Sequence, residues 1–259
     1  MAARFCLILT IVAGFSVAEA QDSATRTVHV FVALADNQHQ GIVPVPARLG
    51  NGEDPEHNLY WGSAYGIRTF FTRSAEWRRV RCIQGPKNEI LERCVFQHRA
   101  ASVYLVADAY RGMEIRQAIL DFLTSAAGDD AETLTVPESP VPLRVRGGAN
   151  LVAYIGHDGL MDFQIPVYPR QKGGVRRDAV VLACASKQFF AEPVRASGAY
   201  PLLWTTGLMA PEAYALKDAL EGWISGETNE RIRDRAAEAY DKYQKCGPRA
   251  AHRLFATGW

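Results

Sequence analysis

The sequence predicts an α/β fold, a three-layer sandwich with a mostly parallel central sheet. Two observations carry this. Five short, continuous apolar runs at 28–34, 102–107, 151–155, 179–183 and 202–206 have the length and β-branched content of strands buried on both faces. Helical patterns and polar connections separate them, as a sheet covered by helices requires. A third feature, an alternating pair of segments joined by a Gly-Pro turn, predicts an inserted β-hairpin.

In chain order, the run at 28–34 is the first core strand. A long stretch rich in Gly, Pro, Asn and Asp follows over 36–56, a length that favours a functional loop. The aromatic-rich segment 60–72 predicts a helix, weakened by Gly62 and Gly66. Residues 77–83 and 90–96 alternate around the turn at 84–88, so the hairpin spans about 77–98 and sets Cys82 opposite Cys94. The second core strand is 102–107. Ile115, Ala118, Ile119, Phe122 and Leu123 then repeat at helical spacing as far as Gly128. The polar stretch 129–148 has room for one edge strand, and the third and fourth core strands are 151–155 and 179–183. After the fifth, Pro211 opens a helix with the stripe Leu216, Leu220, Trp223 and Ile224. The C-terminal segment 228–259 supplies a last helix over 229–245, which stops at Gly247-Pro248, and a tail.

The N-terminus predicts export. Arg4 precedes an apolar run of about 14 residues, too short for the ~20 that span a bilayer, and Ala18-Glu19-Ala20 is a small-x-small cleavage site. Residues 1–20 are thus expected to be a signal peptide that carries Cys6 away. Residues 21–259 form a single domain in the periplasm or outside the cell. With 29 basic and 28 acidic residues and no single-sign block, nothing favours a nucleic acid or a membrane surface as partner. Cys82, Cys94, Cys184 and Cys246 remain, an even number suited to disulfides in an exported protein.

Ligands of such sheets bind beyond the carboxyl ends of the strands. There the chain places Asp36-Asn37, Asp108-Ala109-Tyr110, Gly156-His157-Asp158-Gly159, Cys184-Ala185-Ser186 and Thr205-Thr206-Gly207. His157 and Cys184, 27 positions apart, each end a core strand, and an imidazole beside a thiol is the apparatus of nucleophilic catalysis. Glycines around the histidine let a substrate approach, and free amides there can hold an oxyanion. Asp158 and Asp162 flank His157, either as charges that favour its protonated form or as turn formers. Trp204 suits a cleft wall or the core equally. His29, His39, His57 and His98 show no zinc spacing, and neither a Walker loop nor a Gly-x-Ser-x-Gly elbow is present, so no metal or cofactor is expected.

Tyr154-Ile155-Gly156-His157-Asp158-Gly159 resembles the strand–His-Gly element of the caspase, legumain and gingipain group of cysteine peptidases. Val180-Val181-Leu182-Ala183-Cys184-Ala185-Ser186 resembles that group's strand–Ala-Cys-x-Ser element. The order of the two elements also matches. The likeness covers about 28–225 in architecture and about a dozen residues in motif. Asp158 stands where the group has glycine, the crossover between the two elements is short, and no acidic specificity pocket is legible. The resemblance implies a caspase-like fold and a peptide or protein substrate. It implies Cys184 as nucleophile, His157 as its acid–base partner, the Gly159 and Cys184 amides as oxyanion hole, and Asn37 or Asp158 as orienting groups. The alternative is an exported, non-catalytic binding or scaffold domain with Cys184 bridged to Cys246.

Overall fold

A computed structural model describes residues 25–259; the expected signal peptide and Cys6 lie outside the described residues. Strand β1 (Arg26–Ala33) is followed by helix α1 (Ile67–Arg73), the hairpin β2 (Trp77–Lys87) and β3 (Ile90–His98), strand β4 (Val103–Tyr110) and helix α2 (Ile115–Ala126). A short ribbon, β5 (Glu132–Leu134) and β6 (Leu143–Val145), leads to β7 (Leu151–Ile155) and β8 (Asp178–Leu182). Helix α3 (Ser186–Ser197), β9 (Tyr200–Thr205), α4 (Ala213–Ile224), α5 (Asn229–Gln244), α6 (Pro248–Leu254) and β10 (Phe255–Ala256) complete the chain.

The fold is α/β, with one large mixed sheet flanked by helices. Its order is β10-β9-β8-β7-β1-β4-β3-β2. The five strands from β9 to β4 run parallel, while the edges β10, β3 and β2 are antiparallel. Alternation along β1 shows why it is apolar throughout. Val28, Val30 and Val32 pack with residues of α1, α4 and α5, including Phe71, Leu216 and Tyr240. Phe31 and Ala33 pack with Phe122 of α2 and Phe190 of α3. From β1 the chain builds outward to β4, then crosses back to β7 and builds the other way. The reversal leaves a crevice beyond the carboxyl ends of β1 and β7.

Several expected elements take a different form. The helix expected over 60–72 is only α1, because residues 58–66 make tight turns instead. At Gly62 a Cβ would stand 2.1 Å from the Glu56 carbonyl oxygen, so the chain passes too close for a regular helix to continue. Strand β4 extends to Tyr110, so Asp108 lies inside the sheet and not beyond it. The single edge strand expected in 129–148 is the ribbon β5–β6. The C-terminal tail is not loose, since Phe255 and Ala256 pair with Thr205 and Trp204 as an edge strand.

The hairpin forms over the expected span, but its turn is shifted: Gly85 and Pro86 lie within β2, at a register shift between Gln84 and Lys87, and the chain reverses at Asn88-Glu89. Cys82 and Cys94 are register partners and form a disulfide. Together with Glu92 they are the group of potential metal ligands found among the described residues, but bonded sulfurs are not thiolates and Glu92 is held by Trp61 and Arg68. Closing so short a loop restricts the unfolded chain modestly. A Cys82→Ser, Cys94→Ser double variant is expected to lose about 2–3 kcal/mol of stability in urea unfolding. No loss would mean that the bridge constrains nothing the sheet does not already hold. No described helix is long and apolar enough to cross a membrane.

Candidate active site

Ile155 of β7 pairs with Leu182 of β8, so His157 and Cys184, each two residues further on, leave neighbouring strands at the same level. The turn that carries His157 depends on Gly156, whose φ of 151° and close approach to the Ala33 carbonyl leave no room for a side chain. Cys184 sits on a sharp strand-to-helix turn. Ala185, next to it, is left-handed at φ 48°, a conformation that a residue with a Cβ adopts only when its surroundings impose it. The surroundings are specific. Ser186 Oγ donates to the Val181 carbonyl (2.8 Å) and accepts from Thr205 N–H (2.9 Å), and Thr205 Oγ1 donates to the Ala183 carbonyl. The Ala185 amide donates to Gly207 (2.8 Å).

Both residues line one cleft of about 320 Å³. Its walls come from two loops, 41–45 after β1 and 208–211 after β9, together with Leu59, Tyr60 and Met161. Cys184 is half-buried and not bridged. Its Sγ lies 3.4 Å from the Met209 amide and 3.6 Å from the Met209 carbonyl. The alternative bridge to Cys246 is not formed. Cys246 is exposed at the end of α5, with its sulfur 3.9 Å from the Gly247 carbonyl.

His157 is buried, and its Nε2 lies 2.6 Å from Asp162 Oδ2. With a carboxylate accepting there, Nε2 carries the hydrogen, and in the neutral ring the lone pair is on Nδ1. Nδ1 has no hydrogen-bond partner among the described residues. The same Asp162 oxygen accepts from the Gly41 amide (3.1 Å), so one carboxylate ties the histidine to the cleft wall.

Three expected roles are corrected. Asn37 does not orient His157. Its amide group clamps Val45, donating to the carbonyl (2.8 Å) and accepting from the N–H (3.1 Å), and so braces the loop that walls the cleft. The Gly159 amide is not free for an oxyanion, because it donates to the His157 carbonyl (3.0 Å) in a tight turn that leads into a one-turn 3₁₀ helix. The Cys184 amide makes no hydrogen bond among the described residues. Asp158 makes no bond to the imidazole either. It caps the 3₁₀ turn through Leu160 N–H (3.1 Å), and its Oδ2 is buried without a partner. Burial, with the neighbouring Asp162 charge, pushes the Asp158 carboxyl up to about 7 against the pull of the turn amides.

The folded chain therefore holds a proton on Asp158 between pH ~4 and ~7 that the unfolded chain has released. Stability from this group is present at low pH and lost as pH rises through about 7. Relative to the parent, Asp158→Asn should gain roughly 3–4 kcal/mol between pH 4 and pH 8 in urea unfolding. A difference independent of pH would remove the raised carboxyl.

In the sequence Asp162 stands out only as a neighbour of His157, and the cleft walls are not singled out. A usable signal was present, since Ile42, Val43 and Val45 form an apolar run inside an otherwise polar loop. Trp204, a candidate for the cleft wall, is core. Tyr60, unforeseen, lines the cleft, and burial followed by the nearby Cys184 and Glu212 keeps its phenol protonated. No family model matches the chain, and neither a curated protein nor a solved structure does.

Proposed function

We propose that the chain is an exported cysteine-type hydrolase of caspase-like three-layer architecture that cleaves peptide bonds through Cys184 and His157. The observation that carries this is the joint placement of an unbridged thiol and an Asp162-bonded imidazole in one cleft, beyond adjacent parallel strands. Across the sheet the five parallel strands lie in the order second-first-third-fourth-fifth, which supports the three-layer part of this reading and is shared by doubly wound folds in general. The disulfide supports an oxidising compartment.

In the reaction, Cys184 sulfur adds to the peptide carbonyl carbon while His157 Nδ1 takes its proton. The carbonyl electron pair moves to oxygen, near the free Cys184 amide. Collapse breaks the C–N bond, and the amine leaves with the proton from His157. Water then adds to the thioester, His157 takes its proton, and the carboxylic acid departs as the proton returns to sulfur. The sum is peptide plus water giving acid plus amine.

Alkylation of the native, non-reduced protein with iodoacetamide, mapped by mass spectrometry, tests this reading. Exposure alone ranks Cys246 ahead of Cys184. A catalytic thiol reverses the order, and His157→Ala restores it. A Cys184–Cys246 bridge, or a Cys184 slower than Cys246, would leave the non-catalytic binding domain instead.

A further inference from the structure

The cleft itself carries information about what enters it. Its ionisable members are His157, Cys184 and Tyr60; no Asp, Glu, Lys or Arg lines it. Of the acidic groups nearby, Asp158 is buried under the 3₁₀ turn outside the lining, and the other two are committed elsewhere. Asp162 is bonded to His157 and Gly41, and Glu212 accepts from Tyr214 (2.9 Å) and Gln244 (3.0 Å). The large side chains that line the cleft beside His157, Cys184 and Tyr60 are apolar: Ile42, Val43, Val45, Leu59, Met161 and Leu208, with Met209. Three of these are large hydrophobics left open to solvent, Val43 at 84%, Leu208 at 77% and Met161 at 45%. Exposed apolar groups gathered around one opening mark a surface that is covered in use.

The opposing walls are preformed. Asn37 clamps Val45 on one side, and Tyr240 Oη accepts from the Ala210 amide (3.1 Å) on the other. A volume of about 320 Å³ lies at the lower end for ligand pockets and suits one or two side chains. Because Cys184 is itself part of the wall, the side chain that enters is the one beside the carbonyl under attack.

We infer that the cleft selects a medium-sized apolar residue, of the leucine or methionine class, on the acyl side of the scissile bond, and rejects acidic and basic residues there. This rests on the peptidase reading above. A leucine side chain buries its surface among Ile42, Val43, Met161 and Leu208, whereas a charged one loses its hydration and finds no opposite charge.

The test uses the disulfide-intact protein and the peptides acetyl-Ala-Ala-Xaa-aminomethylcoumarin, with Xaa as Leu, Met, Ala, Asp or Lys. Leu and Met are expected to exceed Ala by roughly 10- to 100-fold in kcat/KM, with Asp and Lys below Ala. Cleavage after Asp or Lys at least as fast as after Leu overturns the inference and leaves the peptidase reading standing. If no peptide is cleaved, that reading falls. The inference is then decided by whether N-acetyl-leucinamide, and not N-acetyl-aspartamide, slows iodoacetamide at Cys184. Failure of leucinamide to protect, or equal protection by both, overturns it. Leu208→Arg, at an exposed position that the fold does not need, should shift relative protection or turnover toward Asp by at least about tenfold. No shift counts against the assignment.

Discussion

Cys184→Ala is expected to fold as the parent does and to lose peptide hydrolysis by roughly 10⁴-fold or more in kcat. The substitution removes one half-buried sulfur whose contacts are two weak ones to the Met209 backbone, so unfolding should shift by no more than about 1 kcal/mol. The turn that holds residue 184 does not depend on the thiol. It is fixed by Ser186, Thr205 and the Ala185 amide. Alanine is preferred to serine because a hydroxyl retains some nucleophilicity. Cys246→Ala is the companion variant. It lies exposed beyond α5, and hydrolysis should be unchanged. His157→Ala should match Cys184→Ala in activity, and the double variant should be no worse, as expected of groups acting as a unit. Measurable hydrolysis by Cys184→Ala at a tenth of the parental rate would assign the chemistry to other residues.

Asp108→Ala is expected to cost about 3–5 kcal/mol, the largest stability loss of any single substitution considered, without altering the cleft. Asp108 is fully buried within β4. It accepts Arg93 Nε at 2.6 Å and Nη2 at 2.7 Å, and His29 Nε2 at 3.1 Å. His29 Nδ1 in turn accepts the Arg146 amide at 2.8 Å. Removing the carboxylate strands a buried guanidinium and a buried imidazole N–H together. Burial alone would raise the Asp108 carboxyl, but the Arg93 hydrogen bonds and His29 hold it well below the usual carboxylate range. Its contribution is thus fully present above pH ~4 and fades only as pH falls further. Urea unfolding at pH 7 measures the cost. An Arg93→Met, Asp108→Leu double variant should lose clearly less than the two single losses added, since an apolar pair leaves less charge buried. A loss under ~1 kcal/mol for Asp108→Ala would mean that water reaches the network.

Much of this arrangement was readable one segment at a time. A run such as Leu151 to Ile155 must be a buried strand, because five consecutive apolar residues have no solvated face to offer. The placement of His157 and Cys184 after strands follows from the same runs, and that of Cys82 opposite Cys94 from the alternation on either side of 84–88, although the chain itself reverses at Asn88-Glu89 and Gly85-Pro86 falls within β2. Helix α3 was not legible, because Lys187, Gln188 and the internal Pro193 blur its period. Strand β10 has two residues and no local signal at all; β9 supplies its pairing.

The sequence by itself determined the α/β class, the strand ends on which the thiol and the imidazole stand, and the cysteine pair of the hairpin. Tertiary structure alone decided which groups serve the site. It committed Asn37 to Val45, Gly159 to the His157 carbonyl and Asp162 to the His157 ring, and brought loops 41–45 and 208–211 to face each other across the cleft. The physical reason is range. Burial leaves a periodic mark in neighbouring residues, whereas a hydrogen bond from residue 41 to residue 162 is fixed by how the strands between them are ordered in the sheet.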